Sequence, residues 1–222
     1  MGLDMYLNKY PKLGLPISMV SNIENLFEWE ERDTKYADTP FSEWCYTSEN
    51  DLPVKEIIDV CRGFYHESYY AWDESHRYPY KMIHDNIAYW RKANAIHGWI
   101  ERHIDSEELK NCDDYKITKD MIVDLLLDCS FVLDNTKLVE GKVTNGYRCT
   151  DNGFEPIIED GLVVEDSTAC EDVLPTESGF FFGSTEYTQW YLDDIKYTKS
   201  VCEKILDEVD FDRYELYYHA SW

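Results

Sequence analysis

The sequence predicts an α+β fold, and three observations carry that reading. Apolar Leu3, Met5 and Leu7 alternate with Asp4 and Tyr6, and alternation returns from Tyr214 to Trp222, the period of a half-buried strand. A third short apolar run, Gly179-Phe180-Phe181-Phe182-Gly183, stands just before the last helical stretch. Stretches with apolar residues three and four apart lie between, so the expected architecture is one antiparallel sheet of the terminal and Phe-rich strands covered by three or more helices. A chain of 222 residues suffices to bury a core as a single domain over 1–222.

The elements are expected in this order. Residues 10–50, with Pro11, Pro16 and Pro40, read as irregular. Asp51 precedes a helix ending at Arg62, with Pro53 in its first turn and Val54, Ile57, Ile58 and Cys61 on one face. Residues 64–80 read as a tyrosine-rich connector. A long helix is predicted over 80–103, its stripe running through Ile83, Ile87, Trp90, Ala93, Ile96 (or His97), Ile100 and Ile104. Thr118 caps the next helix, whose inner face is Met121, Ile122, Leu125, Leu126, Cys129, Val132 and Leu133. Asn145-Gly146, Asn152-Gly153 and Asp160-Gly161 punctuate residues 136–173, which read as a β-hairpin insertion or small meander. Ser184 or Thr185 caps a last helix to about Val209, with Tyr187, Tyr191, Ile195 (or Asp194), Thr198, Cys202 and Ile205 at helical spacing.

Composition excludes several classes of function. Aromatic residues make up 15% of the chain, and disordered chains are poor in them. Lys and Arg number 21 against 45 Asp and Glu, a net charge of −24. Nucleic-acid binders need a basic footprint, and the one compact basic pair is Arg91-Lys92, so direct nucleic-acid binding is not expected. An anionic membrane surface would repel the chain, and no apolar run approaches a membrane span. The charge is compatible with a partner that is itself basic. The seven cysteines are an odd number, widely spread and without Cys-x-x-Cys, which fits neither a disulfide framework nor a zinc ribbon. The N-terminus lacks the basic lead and apolar stretch of a signal peptide, so a cytoplasmic location is expected.

No complete catalytic or metal-binding set emerges. His66, Glu67, Asp73, Glu74, His76 and His84 lie close in sequence, but no pair of these histidines has helical ligand spacing and His-Glu-x-x-His is absent. Two His-x-Ser triplets, His66-Glu67-Ser68 and His219-Ala220-Ser221, are no more than the abundance of Ser and Thr explains. No metal, cofactor or catalytic residue is expected.

Four stretches together carry a resemblance. They are Met1-Gly2-Leu3-Asp4-Met5-Tyr6-Leu7, Tyr89-Trp90-Arg91-Lys92-Ala93-Asn94-Ala95-Ile96-His97-Gly98-Trp99, the run Leu174-Pro175-Thr176-Glu177-Ser178-Gly179-Phe180-Phe181-Phe182-Gly183-Ser184-Thr185, and the ending from Tyr217 to Trp222. The chain resembles, end to end, a family carried by bacteriophages and by Gram-positive bacterial genomes, often in prophage regions. The resemblance implies a bacterial host cell as the setting and carries no activity, fold or cofactor to transfer. Similar proteins more often end in Gln-Ser-Ser-Trp or Val-Ser-Ser-Trp, whereas this one has His219-Ala220-Ser221-Trp222, which argues against a catalytic His219.

Two functional expectations follow. The first is a non-catalytic acidic binding protein acting on a host component, such as a host protein with a basic surface, in a counter-defence or nucleic-acid-mimic role. The second is a small enzyme or ligand sequestrant that binds or processes a small anionic or planar, nucleotide-like molecule in a pocket around Arg91, Asn94 and His97. On a helix those residues would share neighbouring ridges beside Trp90 and Trp99, with Lys92 adjacent. Arg supplies a fixed fork of donors and Trp a stacking face. Against this stands a plainer reading in which the same side chains brace the helix through hydrogen bonds. Ser184 and Thr185, at a strand-to-helix junction, could add helix N-terminal amides for an anion, though Glu186 in the first turn would oppose it and a simple cap accounts for the same residues.

Overall fold

The computed structural model describes residues 2–14, 17, 54–73, 76–104, 108–150 and 153–222. Its elements are β1 (Asp4–Pro11), α1 (Val54–Cys61), β2 (His66–Asp73), β3 (His76–Met82), β4 (Asp85–Arg91), α2 (Asn94–His103), β5 (Asp114–Ile117), α3 (Lys119–Asn135), β6 (Leu138–Thr150), β7 (Gly153–Val164), α4 (Thr168–Val173), α5 (Gln189–Glu208) and β8 (Tyr214–Ser221). The fold class is α+β: an antiparallel four-stranded sheet in the order β4-β1-β8-β5, two two-stranded ribbons, β2-β3 and β6-β7, and several helices.

The chain divides into two compact units, one of Met1–Asn8, Ile87–Phe211 and Leu216–Trp222, the other of Lys9–Asn86 and Asp212–Glu215. In the second unit α1 leads through a single 3-10 turn, Arg62–Phe64, into the β2-β3 ribbon. Lys9 pairs with Asp85 at 2.7 Å, Tyr10 stacks on His84 with centroids 5.1 Å apart, and Phe64 meets Tyr214 edge-on. Asp51 and Pro53, expected at the start of α1, and residues 18–50 lie outside the described residues.

The first unit holds a continuous apolar core. Met5 and Leu7 enter it from β1, with Leu3 just before the strand, and Leu216, Tyr218 and Ala220 from β8, the strand residues alternating with more exposed neighbours. The helix α3 is capped as expected, Thr118 Oγ1 accepting from the Met121 amide at 3.2 Å, and buries Ile122, Leu125, Cys129 and Val132. The inner face of α5 is Tyr191, Leu192, Ile195, Thr198, Val201, Cys202 and Ile205. Burial pushes the Cys129 and Cys202 thiols up, Cys202 to about 12, so both act as small apolar side chains. Among the described residues no helix is long and apolar enough to cross a membrane.

Four sequence expectations are corrected. The long helix over 80–103 is a strand followed by a shorter helix, β4 and then α2. Ile83, Ile87 and Trp90 fit a helical stripe, yet Ala88 and Trp90 are buried while Tyr89 and Arg91 are exposed, a period of two. Pairing decides between the periods, because an extended β4 supplies partners to β1, as where the Lys92 amide donates to the Leu3 carbonyl at 2.7 Å. The connector over 64–80 is the β2-β3 ribbon, in register His66 to Met82, consistent with the strand preference of its aromatic content. Gly179–Gly183 is a turn and not a buried strand: the Phe182 amide donates to the Gly179 carbonyl at 3.1 Å and Phe180 is 95% exposed. Finally, α5 starts at Gln189 after an extended Thr188, so neither Ser184 nor Thr185 caps it. Thr188 is held by a bridge to Val163, which delays the helix past the first residues suited to cap it.

Within 136–173 lies one long hairpin, β6-β7, whose register slips between Thr144 and Tyr147. Residues 153–160 are exposed on both faces of the ribbon, and the bulge beside Gly146, at φ 87°, turns Tyr147 outward.

Candidate functional site

The residues singled out around Trp90 and Trp99 separate into two groups. Asn94, the first residue of α2, is buried and fully engaged. Its Nδ2 donates to the Phe182 carbonyl at 3.0 Å and the Ser184 carbonyl at 2.9 Å, and its Oδ1 accepts from the Glu177 amide at 3.1 Å. Gly98 and Arg102 follow on the same helix face at spacings of four. A Cβ on Gly98 would lie 2.2 Å from Glu177 Cγ, so only glycine admits that side chain, and Arg102 Nη1 donates to Glu177 Oε1 at 2.9 Å. One stripe of α2 thus grips the segment that carries the Phe-rich turn.

His97 is buried with its Nδ1 2.7 Å from the Tyr218 hydroxyl, edge-on to Phe182 and Trp222. Burial lowers its pKa, with Glu101 opposing, which keeps the ring neutral at pH 7. Trp99 donates from Nε1 to Asp128 Oδ2 at 2.7 Å and stacks on His103. Trp90 donates to Thr198 Oγ1 at 2.9 Å. Like Asn94, these three side chains are satisfied within the fold, and none of the three is among the described residues that line the neighbouring cleft. His219 Nδ1 stands 3.1 Å from Asp114 across the β5-β8 pairing, a sheet contact.

The second group lines an open cleft of about 680 Å³ within the first unit. Arg91 and Lys92, at the end of β4, line it together with Ser184 and Thr185 and with the engaged Asn94, which holds the Ser184 carbonyl. Arg91 is exposed, its Nε 4.0 Å from Asp4 Oδ1. Lys92 has left-handed backbone at φ 61°, a conformation non-glycine residues adopt at a cost and often at functional positions. Its stem lies against Gly2 and Gly183, and among the described residues its ammonium has no ion-pair or hydrogen-bond partner. Ser184 Oγ accepts from the Glu186 amide at 3.1 Å, which closes a local turn where a helix start was expected.

Sequence reasoning missed the aromatic parts of the cleft and the role of Asp194. Tyr147 from the ribbon bulge, Phe180 from the turn and Trp190 from the first turn of α5 all line it, and all three are exposed. Glu186 also lines it, but its carboxylate accepts from the Thr144 amide at 3.0 Å and the Thr144 hydroxyl at 2.6 Å. Asp194 differs. No hydrogen bond or ion pair reaches its carboxylate among the described residues, and burial, with Asp193 beside it, raises its pKa to about 6. The available signal was the spacing of Trp190 and Asp194, four apart on the polar side of a helix, where a tryptophan serves no core. Among the described residues no group of His, Cys, Asp and Glu is placed to hold a metal ion. Comparison of this chain with protein-family models, with curated proteins and with solved structures returns no match.

Proposed function

We propose that this is a non-catalytic binding protein whose cleft takes a small planar anion of the nucleotide type, acting on a component of a bacterial host cell. The observation that carries the reading is the convergence on one cleft of exposed Tyr147, Phe180 and Trp190, from three separate segments, with the cations Arg91 and Lys92. Exposed aromatic rings gain by stacking on a flat ligand, and adjacent guanidinium and ammonium groups suit a phosphate or carboxylate. The setting rests on the resemblance to a phage- and prophage-borne family.

A protein partner with a basic surface is the weaker reading, because net charge alone carries it. Charge mimicry of DNA requires carboxylates in uninterrupted rows, whereas exposed pairs such as Lys142–Asp160, Arg148–Glu155 and Lys196–Asp193 interleave cations among them. The test is thermal unfolding with and without the 5′-monophosphates of guanosine, adenosine, cytidine and uridine. A ligand that binds only the folded state raises the midpoint. At least one should do so for the wild type and none for Trp190→Ala, whose exposed ring is dispensable for folding. No shift with any of them in the wild type would overturn the proposal.

A further inference from the structure

Trp190 and Asp194 stand four residues apart on α5, so their side chains are neighbours on one helix face, and both line the cleft. A flat ring stacked on the Trp190 indole would have the Asp194 carboxylate as its neighbour one helical turn on. That carboxylate is half-buried and without a protein partner. Its oxygens are therefore reached by solvent and not sealed in the fold, and among the described residues no group pairs with them, which leaves them open to donors entering the cleft. The other cleft carboxylate, on Glu186, is occupied by Thr144. The open acceptor is thus Asp194, beside an aromatic platform and in a cleft whose opposite charges are Arg91 and Lys92.

An ionised carboxylate only accepts hydrogen bonds, and its two oxygens suit two parallel donors. The common bases differ in what they offer. Adenine and cytosine each present one amino group beside a ring nitrogen that is itself an acceptor, and the carboxylate would face that lone pair. Uracil presents one N–H between two carbonyls. Guanine alone presents two adjacent donors, N1–H and the N2 amino group.

We propose that the cleft selects a guanine nucleotide, with the base stacked on Trp190, its N1–H and N2 amino group donating to Asp194, and its phosphate held by Arg91 and Lys92. This rests on the nucleotide reading above and adds the base to it. A volume of about 680 Å³ falls within the range of about 300–1,000 Å³ usual for small-molecule sites. The ligand is a free nucleotide and not a guanosine within RNA, because a chain of net charge −24 repels a long polyanion.

Calorimetric titration at pH 7.5 tests this with GMP, AMP, CMP, UMP and XMP against the wild type and Asp194→Asn. The wild type should bind GMP at least tenfold more tightly than AMP, since a site built to pair two donors rejects a base lacking them. Asp194→Asn should lose that preference and bind XMP at least tenfold more tightly than GMP, because its amide can donate to the xanthine C2 carbonyl while its oxygen accepts from N1–H. A thermal scan of Asp194→Asn, which removes a half-buried charge, checks that the variant is folded. Equal affinity of the wild type for AMP and GMP, or a retained GMP preference in Asp194→Asn, would overturn the base assignment and leave the nucleotide reading standing. A short guanosine-containing oligonucleotide that binds more tightly than GMP would overturn the free-nucleotide assignment. Absence of binding by every nucleotide would sink the ligand class and the base assignment together.

Discussion

Asn94 and Lys92 are two residues apart and the fold treats them in opposite ways. Asn94 is buried, and its amide meets two carbonyls and one backbone amide. Lys92 is exposed, left-handed in its backbone and without a partner among the described residues. The same division runs through their neighbours. On the core side, His97, Trp99 and Trp90 each find a partner at 2.7–2.9 Å, and no buried side-chain nitrogen or oxygen among the described residues lacks one. On the cleft side, Lys92 and Asp194 are left open and three aromatic rings face out. A polar group that serves architecture is satisfied by the chain itself. One left to solvent at a cleft is free to meet a ligand without first breaking a contact of the fold.

The largest expected effect breaks the architectural side of this contrast. Asn94→Ala removes the hinge that ties α2 to the segment 177–184, leaving two carbonyls and an amide to find new partners. At about 1–3 kcal/mol for leaving a buried polar group unsatisfied, and with some relief from water, a loss of about 3 kcal/mol is expected in thermal or urea unfolding. Asn94→Asp should be no better, because its carboxylate would face the Phe182 and Ser184 carbonyls. A loss below about 1 kcal/mol for Asn94→Ala would show that the cluster is not the brace described here.

How much of this was legible in the sequence depended on whether one physical signal acted alone. In α3 the Thr118 cap and a single apolar period agree, and both cap and inner face were readable. The terminal strands were readable for the same reason. Residues 85–91 satisfied the helical and the strand period together, and the choice was made by the need of β1 for a hydrogen-bonding neighbour, which no local window contains. The Phe-rich run misled because its composition suits a buried strand, whereas Phe180 lies outside at the cleft. The basic members of the cleft, Arg91 and Lys92, stood out as the one compact basic pair. The aromatic members and the role of Asp194 did not, since those residues come from three distant segments that only the tertiary fold brings together.

Asp194 sharpens the cleft side. Its folded pKa of about 6 lies above its ordinary 3.8, so between those values the folded state holds more protons than the unfolded state. Stability therefore falls as pH rises from about 4 to 6, and the penalty is constant above that. Asp193, paired with Lys196, adjoins it, and Arg91, Lys92 and Glu186 line the same cleft without pairing to it. A shift of this size would correspond to about 3 kcal/mol for a fully buried group, and partial exposure reduces it to about 1 kcal/mol. Asp194→Asn should thus be more stable than the wild type by about that amount at pH 7, with the gain vanishing near pH 4 in unfolding curves at several pH values. A gain independent of pH would show that the charge is not its origin.

The smallest expected effect on stability falls on the residue with which the contrast began. Lys92 at φ 61° bears the steric cost of left-handed backbone, about 1 kcal/mol for a side chain with a Cβ. Asparagine tolerates that conformation better, so Lys92→Asn should recover part of the cost. The lysine stem, however, packs against Gly2 and Gly183, within 3.1 Å of where a Cβ on either would stand, and the shorter side chain gives that contact up. The two changes oppose each other, and the unfolding free energy should stay within about 0.5 kcal/mol of the wild type, as for surface positions generally. Binding behaves differently, because the ammonium has nothing to hold in the free protein: affinity for GMP should fall at least tenfold in the same variant. A structural lysine would give the reverse pattern, a clear loss of stability with nucleotide affinity unchanged. That outcome would place Lys92 with Asn94 among the braces and leave Arg91 as the only one of the two proposed phosphate-binding cations.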